Sequence, residues 1–314
     1  MDSSVLVDPA ELRFGVNLGR LGTPGPPGED PASTPTDAAR WAEDAGFDIV
    51  TTADHVGSTS PFVMLTAAAV VTTRVRLRTY VLDVGFWNVG LLARDVATLD
   101  VLSGGRVEVG LGAGHKPLEH EAVGLPYSPF AERVDGLRAF ARELRRRLDD
   151  PGLVPGPVQD QVPIFVGAMS RRGLEVAAEV GDLVALAGGM QLPGAPPGTL
   201  TVASAAQTDA RVAAVREARA ARGLPPAGFD ALLQQVVVDR EPEEVAATWE
   251  ATDGAIRAAD VVDSPFLLAA PSVEEAAAEL LRRSERWGIT SWCTHAPSGR
   301  ALAQVAKVLR ACAD

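Results

Sequence analysis

Eight short apolar runs alternate with amphipathic helical patterns along 314 residues, with no break in composition. That alternation predicts an α/β protein whose strands close into one (β/α)8 TIM barrel with short insertions, spanning residues 1–314 as a single domain. The length suits the fold, since such barrels run to about 250 residues or more. Chemically active side chains also recur just past the strand-like runs, where such barrels keep their active sites.

Residues 14–18 are the first strand, followed by a stretch rich in Gly and Pro over residues 22–35. Thr36 is placed to cap a helix with Ala38, Trp41, Ala42 and Ala45 on one face, and Gly46 closes it. Residues 47–52 are the second strand, running into Asp54 and His55. Ser60-Pro61 starts the next helix, with proline where no N–H donor is needed. The third strand is 75–82, and Leu91, Leu92, Val96, Leu99 and Leu102 form the apolar stripe of the helix after it. Gly104 or Gly105 can take the left-handed conformation that ends this helix. The fourth strand is 106–112, and Ser128-Pro129 opens a long helix burying Phe130, Val134, Leu137, Leu144 and Leu148.

The second half repeats the pattern with strands at 163–167, 183–187, 232–238 and 289–293. Helices fall at 170–180, 203–222, 241–259, 273–287 and 301–313, and the extended stretches 154–163 and 192–200 read as insertions.

Apolar residues are 46% and charged residues 22%, an ordinary globular balance. A net charge of -12 argues against nucleic acid or an anionic membrane surface as partner. The longest apolar run, residues 62–71 broken by Thr66, is too short for a bilayer. Residues 1–12 are acidic and lack the basic and apolar regions of a secretory signal. Cys293 and Cys312 form neither a metal spacing nor a disulfide framework, so a reducing, cytoplasmic setting is expected. His115 and His120, five apart, share no helical face, and no metal site is expected.

Residues 103–115 carry a helix stop, a short strand and the glycines Gly110, Gly112 and Gly114, ending on His115. The glycines clear the strand end for something bulky, or only make a tight turn. His55 is either a proton donor at a reacting centre or a histidine bonded within the core. His115 is either a catalytic or ligand-binding group or a residue of a solvent-facing loop, and Glu119 and His120 read as a solvated helix edge. The segment Gly167-Ala168-Met169-Ser170-Arg171-Arg172 turns closely into a helix whose free N–H groups suit a phosphate, or simply starts a helix. Tyr80, Phe86, Trp87 and Trp292 lie near the expected site and suit apolar ligands.

Asp54-His55, residues 91–100, residues 102–106 with Gly110-Leu111-Gly112-Ala113-Gly114, and Phe130-Ala131-Glu132-Arg133 occur in that order. In this combination the chain resembles the bacterial luciferase-like monooxygenase superfamily, and within it the branch using coenzyme F420, a deazaflavin. The resemblance covers residues 14–182 and 264–294. It implies a ring lying across the strand ends, backed by a bulge, often with a non-proline cis peptide, at about Tyr80-Val81. It implies catalytic roles for His55 and His115, and cofactor contacts from Asp54, Tyr80, Val81, Gly112, Ala113 and Gly114. The phosphate turn implied is Gly167, Ala168, Met169, Ser170 and Arg171, and the substrate side would be Phe86, Trp87 and Trp292. Two departures stand out: Met169 crowds a turn usually richer in glycine, and residues 148–162 are short and proline-rich, so the lid is reduced.

The activity implied is an F420-dependent oxidoreductase that transfers a hydride between the deazaflavin and a small or natural-product-like substrate with a C=C, C=N or C–OH group. The alternatives are an FMN-dependent monooxygenase of the same fold and a cofactor-binding member without turnover. A small-molecule substrate and a homodimer are expected.

Overall fold

Most of the strands grow from short runs rich in aliphatic and β-branched residues. In a computed structural model that describes residues 7–19, 34–186, 188–192, 200–252 and 257–312, they are β1 (Arg13–Asn17), β2 (Ile49–Thr52), β3 (Arg76–Thr79), β4 (Leu82–Asp83), β5 (Val107–Gly112), β6 (Ile164–Ala168), β7 (Leu183–Leu186), β8 (Gly189–Gln191), β9 (Leu200–Val202), β10 (Gly228–Leu233), β11 (Gln235–Val237), β12 (Leu267–Ala269) and β13 (Ile289–Thr294). Nine form one sheet in the order β3-β2-β1-β13-β10-β7-β6-β5-β4. Parallel pairing of β3 with β5 closes it. β3 and β4 are two halves of one barrel strand, parted at the cis peptide Tyr80-Val81, so the sheet is an eight-strand barrel. β8 and β9 make an antiparallel pair, and β11 and β12 a parallel pair, both outside the barrel sheet.

Most helix boundaries follow local chemistry. Ser60 precedes helix Pro61–Ala69, and Ser272 caps Val273–Trp287 by accepting from the Glu275 N–H. Gly104, at φ 68°, is the left-handed cap of helix Val89–Ser103. The first helix is capped by Thr34 rather than Thr36, because the Thr34 hydroxyl reaches the Asp37 N–H and Pro35 opens the helix.

Four expectations about burial, register and helix extent are corrected. Helix Val89–Ser103 buries Leu92, Ala93, Val96, Ala97, Leu99, Asp100 and Ser103, whereas Leu91 and Leu102 fall off that stripe and stand exposed. Phe130 is also half exposed. The seventh barrel strand is β10, which starts four residues earlier than the run at 232–238. Asp230 masked it, because its charge faces Arg78 inside the barrel while Phe229, Ala231 and Leu233 join the apolar core. Residues 235–237 leave the barrel to pair with β12. The expected helix over 241–259 is two helices, Pro242–Thr252 and Ala258–Val262.

Of the expected insertions, 192–200 lies almost wholly outside the described residues, as do most of the Gly- and Pro-rich stretch and Ala187. The other lies against the barrel: Val158 and Gln159 donate backbone N–H groups to Asp100 Oδ2 at 2.8 and 3.1 Å.

Candidate active site

The C-terminal ends of β2, β4, β5, β6, β7 and β10 surround a cavity of about 770 Å³. Asp54, His55, Tyr80, Val81, Gly112, Ala113, Gly114, His115, Gly167, Ala168, Met169 and Ser170 all line it, brought together from separate segments.

The glycines of the β5 end are needed, though mainly to admit this chain's own groups. A Cβ on Gly110 would lie 2.2 Å from the Phe165 ring and from the Thr79 carbonyl. One on Gly112 would meet Val81 Cγ2 at 2.7 Å, and one on Gly167 would meet Val81 Cγ1 at 3.2 Å. The Val81 side chain therefore lies across both strand ends as an apolar wall. Gly114, at φ 72°, lets Asp83 lie where a Cβ would come within 2.1 Å of its carboxylate.

The polar end of the cavity is a set of ionisable groups. His55 Nδ1 lies 3.0 Å from Glu119 Oε2, and Lys116 Nζ takes Glu119 Oε1 at 3.1 Å. The His115 ring stands edge-on to His55 with centroids 5.7 Å apart. Burial, and then the neighbouring His55 and Lys116, hold the His115 pKa below the ordinary imidazole range, so its neutral form prevails at neutral pH. Asp54 Oδ2 accepts from Trp87 Nε1 at 2.8 Å and from the Asp83 N–H at 3.2 Å. Burial outweighs those two donors and raises its pKa.

Behind this set, Asp83 Oδ2 lies 2.9 Å from His120 Nε2, and His120 Nδ1 lies 3.0 Å from the Pro126 carbonyl. A carbonyl only accepts, so Nδ1 carries a proton. With 2% of its surface exposed, His120 is no solvated edge, and Glu119 is turned inward too.

Four predicted side chains lie elsewhere. Trp292 is fully buried and donates Nε1–H to Ser284 Oγ at 2.8 Å. Strand alternation explains it: Cys293 faces the barrel interior near Arg78, which turns Trp292 toward the helices. Trp87 packs edge-on against Phe62 and holds Asp54 from outside the cavity. Phe86 packs on the His120 ring at 4.7 Å. Arg171 projects into solvent beside Glu175. Arg172 likewise turns away, toward Asp135 at 2.6 Å. The turn keeps its backbone chemistry, however. Ser170 Oγ accepts from Gly173 N–H at 3.1 Å, while the N–H groups of Arg171 and Arg172 have no partner within the helix.

Sequence reasoning missed Lys116, Glu119, Asp83, Arg211, Gln234 and Trp249, which also line the cavity. Only Glu119 left a signal, as a carboxylate flanked by His115 and His120 just past a strand end. Arg211, 7% exposed, comes from helix Ala205–Ala220. Among the described residues, no group of three or more His, Cys, Asp or Glu side chains is placed to hold a metal ion. No described helix is long and apolar enough to cross a membrane.

The family model for luciferase-like monooxygenases matches residues 13–297. The 5,10-methylenetetrahydromethanopterin reductase of Archaeoglobus fulgidus is 30% identical over 156 residues, 46% of either chain. The pyrimidine monooxygenase of Allorhizobium ampelinum is 27% identical over 212 residues, 60% of this chain and 52% of its own. The chain thus spans about half the length of the curated relatives it matches. Among solved structures, an F420-dependent secondary alcohol dehydrogenase in complex with an F420-acetone adduct shares the fold, with a TM-score of 0.74 at 18% identity over 95% of this chain and 98% of that one.

Proposed function

The chain belongs to the luciferase-like monooxygenase family, and from that premise we propose that it is a coenzyme F420-dependent oxidoreductase acting on a small organic substrate. The observation that carries this reading is His55. It is an imidazole at a strand end, engaged through Nδ1 by Glu119 and bordering the same cavity as the neutral His115. The methylenetetrahydromethanopterin reductase and the alcohol dehydrogenase support the choice of reaction class.

The residues present fit such a cofactor. The cavity lies within the roughly 300–1,000 Å³ of small-molecule sites. Val81 between Gly112 and Gly167 offers an apolar wall for a planar ring, and the backbone N–H groups past Ser170 would hold its phosphate. Met169, where a smaller residue would leave more room, narrows that turn. When bound, a deazaflavin supplies a carbon that gives or takes a hydride to or from a C=C, C=N or C–OH group. His55 then gives or takes the accompanying proton at Nε2.

Titration of the protein with F420 and with FMN, followed by fluorescence, is expected to give a micromolar or tighter dissociation constant for F420 and weaker binding of FMN. The pyrimidine monooxygenase relative favours a second reading, an FMN-dependent monooxygenase. Oxygen uptake driven by reduced FMN and absent with reduced F420 decides for it.

The proposal extends to a single domain and a homodimer. Helices Pro61–Ala69 and Val89–Ser103 pack side by side and leave Val63 69%, Val70 70%, Leu91 53% and Leu102 57% exposed. Light scattering is expected to report twice the chain mass, and Val63→Glu with Leu102→Glu to halve it.

A further inference from the structure

Helix Pro117–Ala122 sends two consecutive side chains to two different strand ends: Glu119 to His55 beyond β2, and His120 to Asp83 at the end of β4. We propose that Glu119 is the positioning residue of the site, fixing the proton of neutral His55 on Nδ1 and leaving Nε2 as the atom that exchanges protons with substrate. The proposal rests on the reading of His55 as the proton-handling group.

The contact is not a local accident, for it joins residues 64 apart in the chain at 3.0 Å. Both side chains are largely shielded, His55 at 26% and Glu119 at 15% exposure. Burial alone would raise the Glu119 carboxyl, yet the hydrogen bonds from His55 and Lys116 outweigh it and hold its pKa below the ordinary value. Ionised, Glu119 can only accept, so Nδ1 must donate. A neutral imidazole has a single N–H, so Nε2 keeps its lone pair. Lys116 holds the other carboxylate oxygen, so the carboxylate is pinned from two sides.

The other charged or titratable groups around His55 do not compete for Nδ1. His115 stands edge-on and largely neutral, and its own pKa records the Coulombic influence of His55, Lys116, Glu119 and Asp83. Asp54 spends Oδ2 on Trp87 and on the Asp83 N–H. Asp83 is engaged by His120 and by the Gly85 N–H at 2.9 Å.

The test is nitrogen-15 histidine NMR of the full chain without cofactor at pH 8, with His55 assigned by its loss in His55→Gln. The expected spectrum of the wild type shows His55 as the Nδ1–H tautomer. In Glu119→Gln the amide can donate as well as accept, and a substantial fraction of His55 is expected to shift to Nε2–H. An Nε2–H wild type overturns the proposal, as does an unchanged tautomer in Glu119→Gln. If the variant does not fold, the wild-type spectrum still decides. The tautomer is read without F420, so it holds or fails independently of the oxidoreductase reading. If it holds while His55→Gln retains wild-type turnover, the proton-handling role of His55 falls and the positioning role falls with it.

Discussion

His55→Gln is expected to lower F420-linked hydride transfer by about 10²–10⁴-fold, the usual worth of a positioned acid or base, while F420 affinity changes by only a few-fold. Glutamine keeps a polar side chain of similar reach but neither holds nor releases a proton near neutral pH. The surfaces assigned to the cofactor, Val81 across Gly112 and Gly167 and the turn after Ser170, are built without His55. Stopped-flow absorbance of the deazaflavin with the best-turned-over acceptor measures the rate, and fluorescence titration measures the affinity. A parallel collapse of binding would mark His55 as part of the scaffold, through its contact with Glu119. Unchanged turnover would remove it from the chemistry.

The barrel was legible because its signals are local. Aliphatic runs, the Ser60-Pro61 start and the Gly104 stop each act within a few residues. Asp54, His55 and the glycines of β5 were legible for a related reason: a barrel gathers strand ends on one rim, so position along the chain predicts position in space. What escaped depends on long-range partners or on strand parity. Glu119 and His120 look solvated until β2 and β4 bring His55 and Asp83 to them. Trp292 looked like a pocket residue because a strand end does not announce which alternate side chain faces inward. Asp230 broke the apolar run of β10 because its cation sits on a strand 152 residues away.

That buried pairing sets the other large expectation: Arg78→Met should destabilise the protein by about 3–5 kcal/mol at neutral pH, the cost of removing one partner from a buried ion pair. Arg78 is fully buried inside the barrel, donating to Glu108 Oε2 at 2.6 Å and to Asp230 Oδ2, with its guanidinium over the Phe165 ring. Methionine fills comparable space and leaves both carboxylates facing inward. Burial by itself would raise the Glu108 pKa, but Arg78, Arg13 and Arg76 overcome it and take it from 4.5 to about 2. The folded value lies below the unfolded one, so the stabilisation is complete above about pH 4.5 and lost as pH falls toward 2. The gap between wild type and variant is therefore widest at pH 7 and narrows below pH 4.5. Urea midpoints at pH 7 and pH 3.5 measure it, and an equal gap at both would mean that lost packing, not lost charge, sets the cost. The same variant should reach the cavity. Tyr80 donates its hydroxyl to Asp230 Oδ1 at 2.5 Å, and burial first, then the Asp230 charge, keeps that phenol protonated. An Asp230 released from Arg78 no longer fixes the Tyr80 ring that lines the cavity, so F420 affinity should fall in Arg78→Met even though Arg78 does not line it.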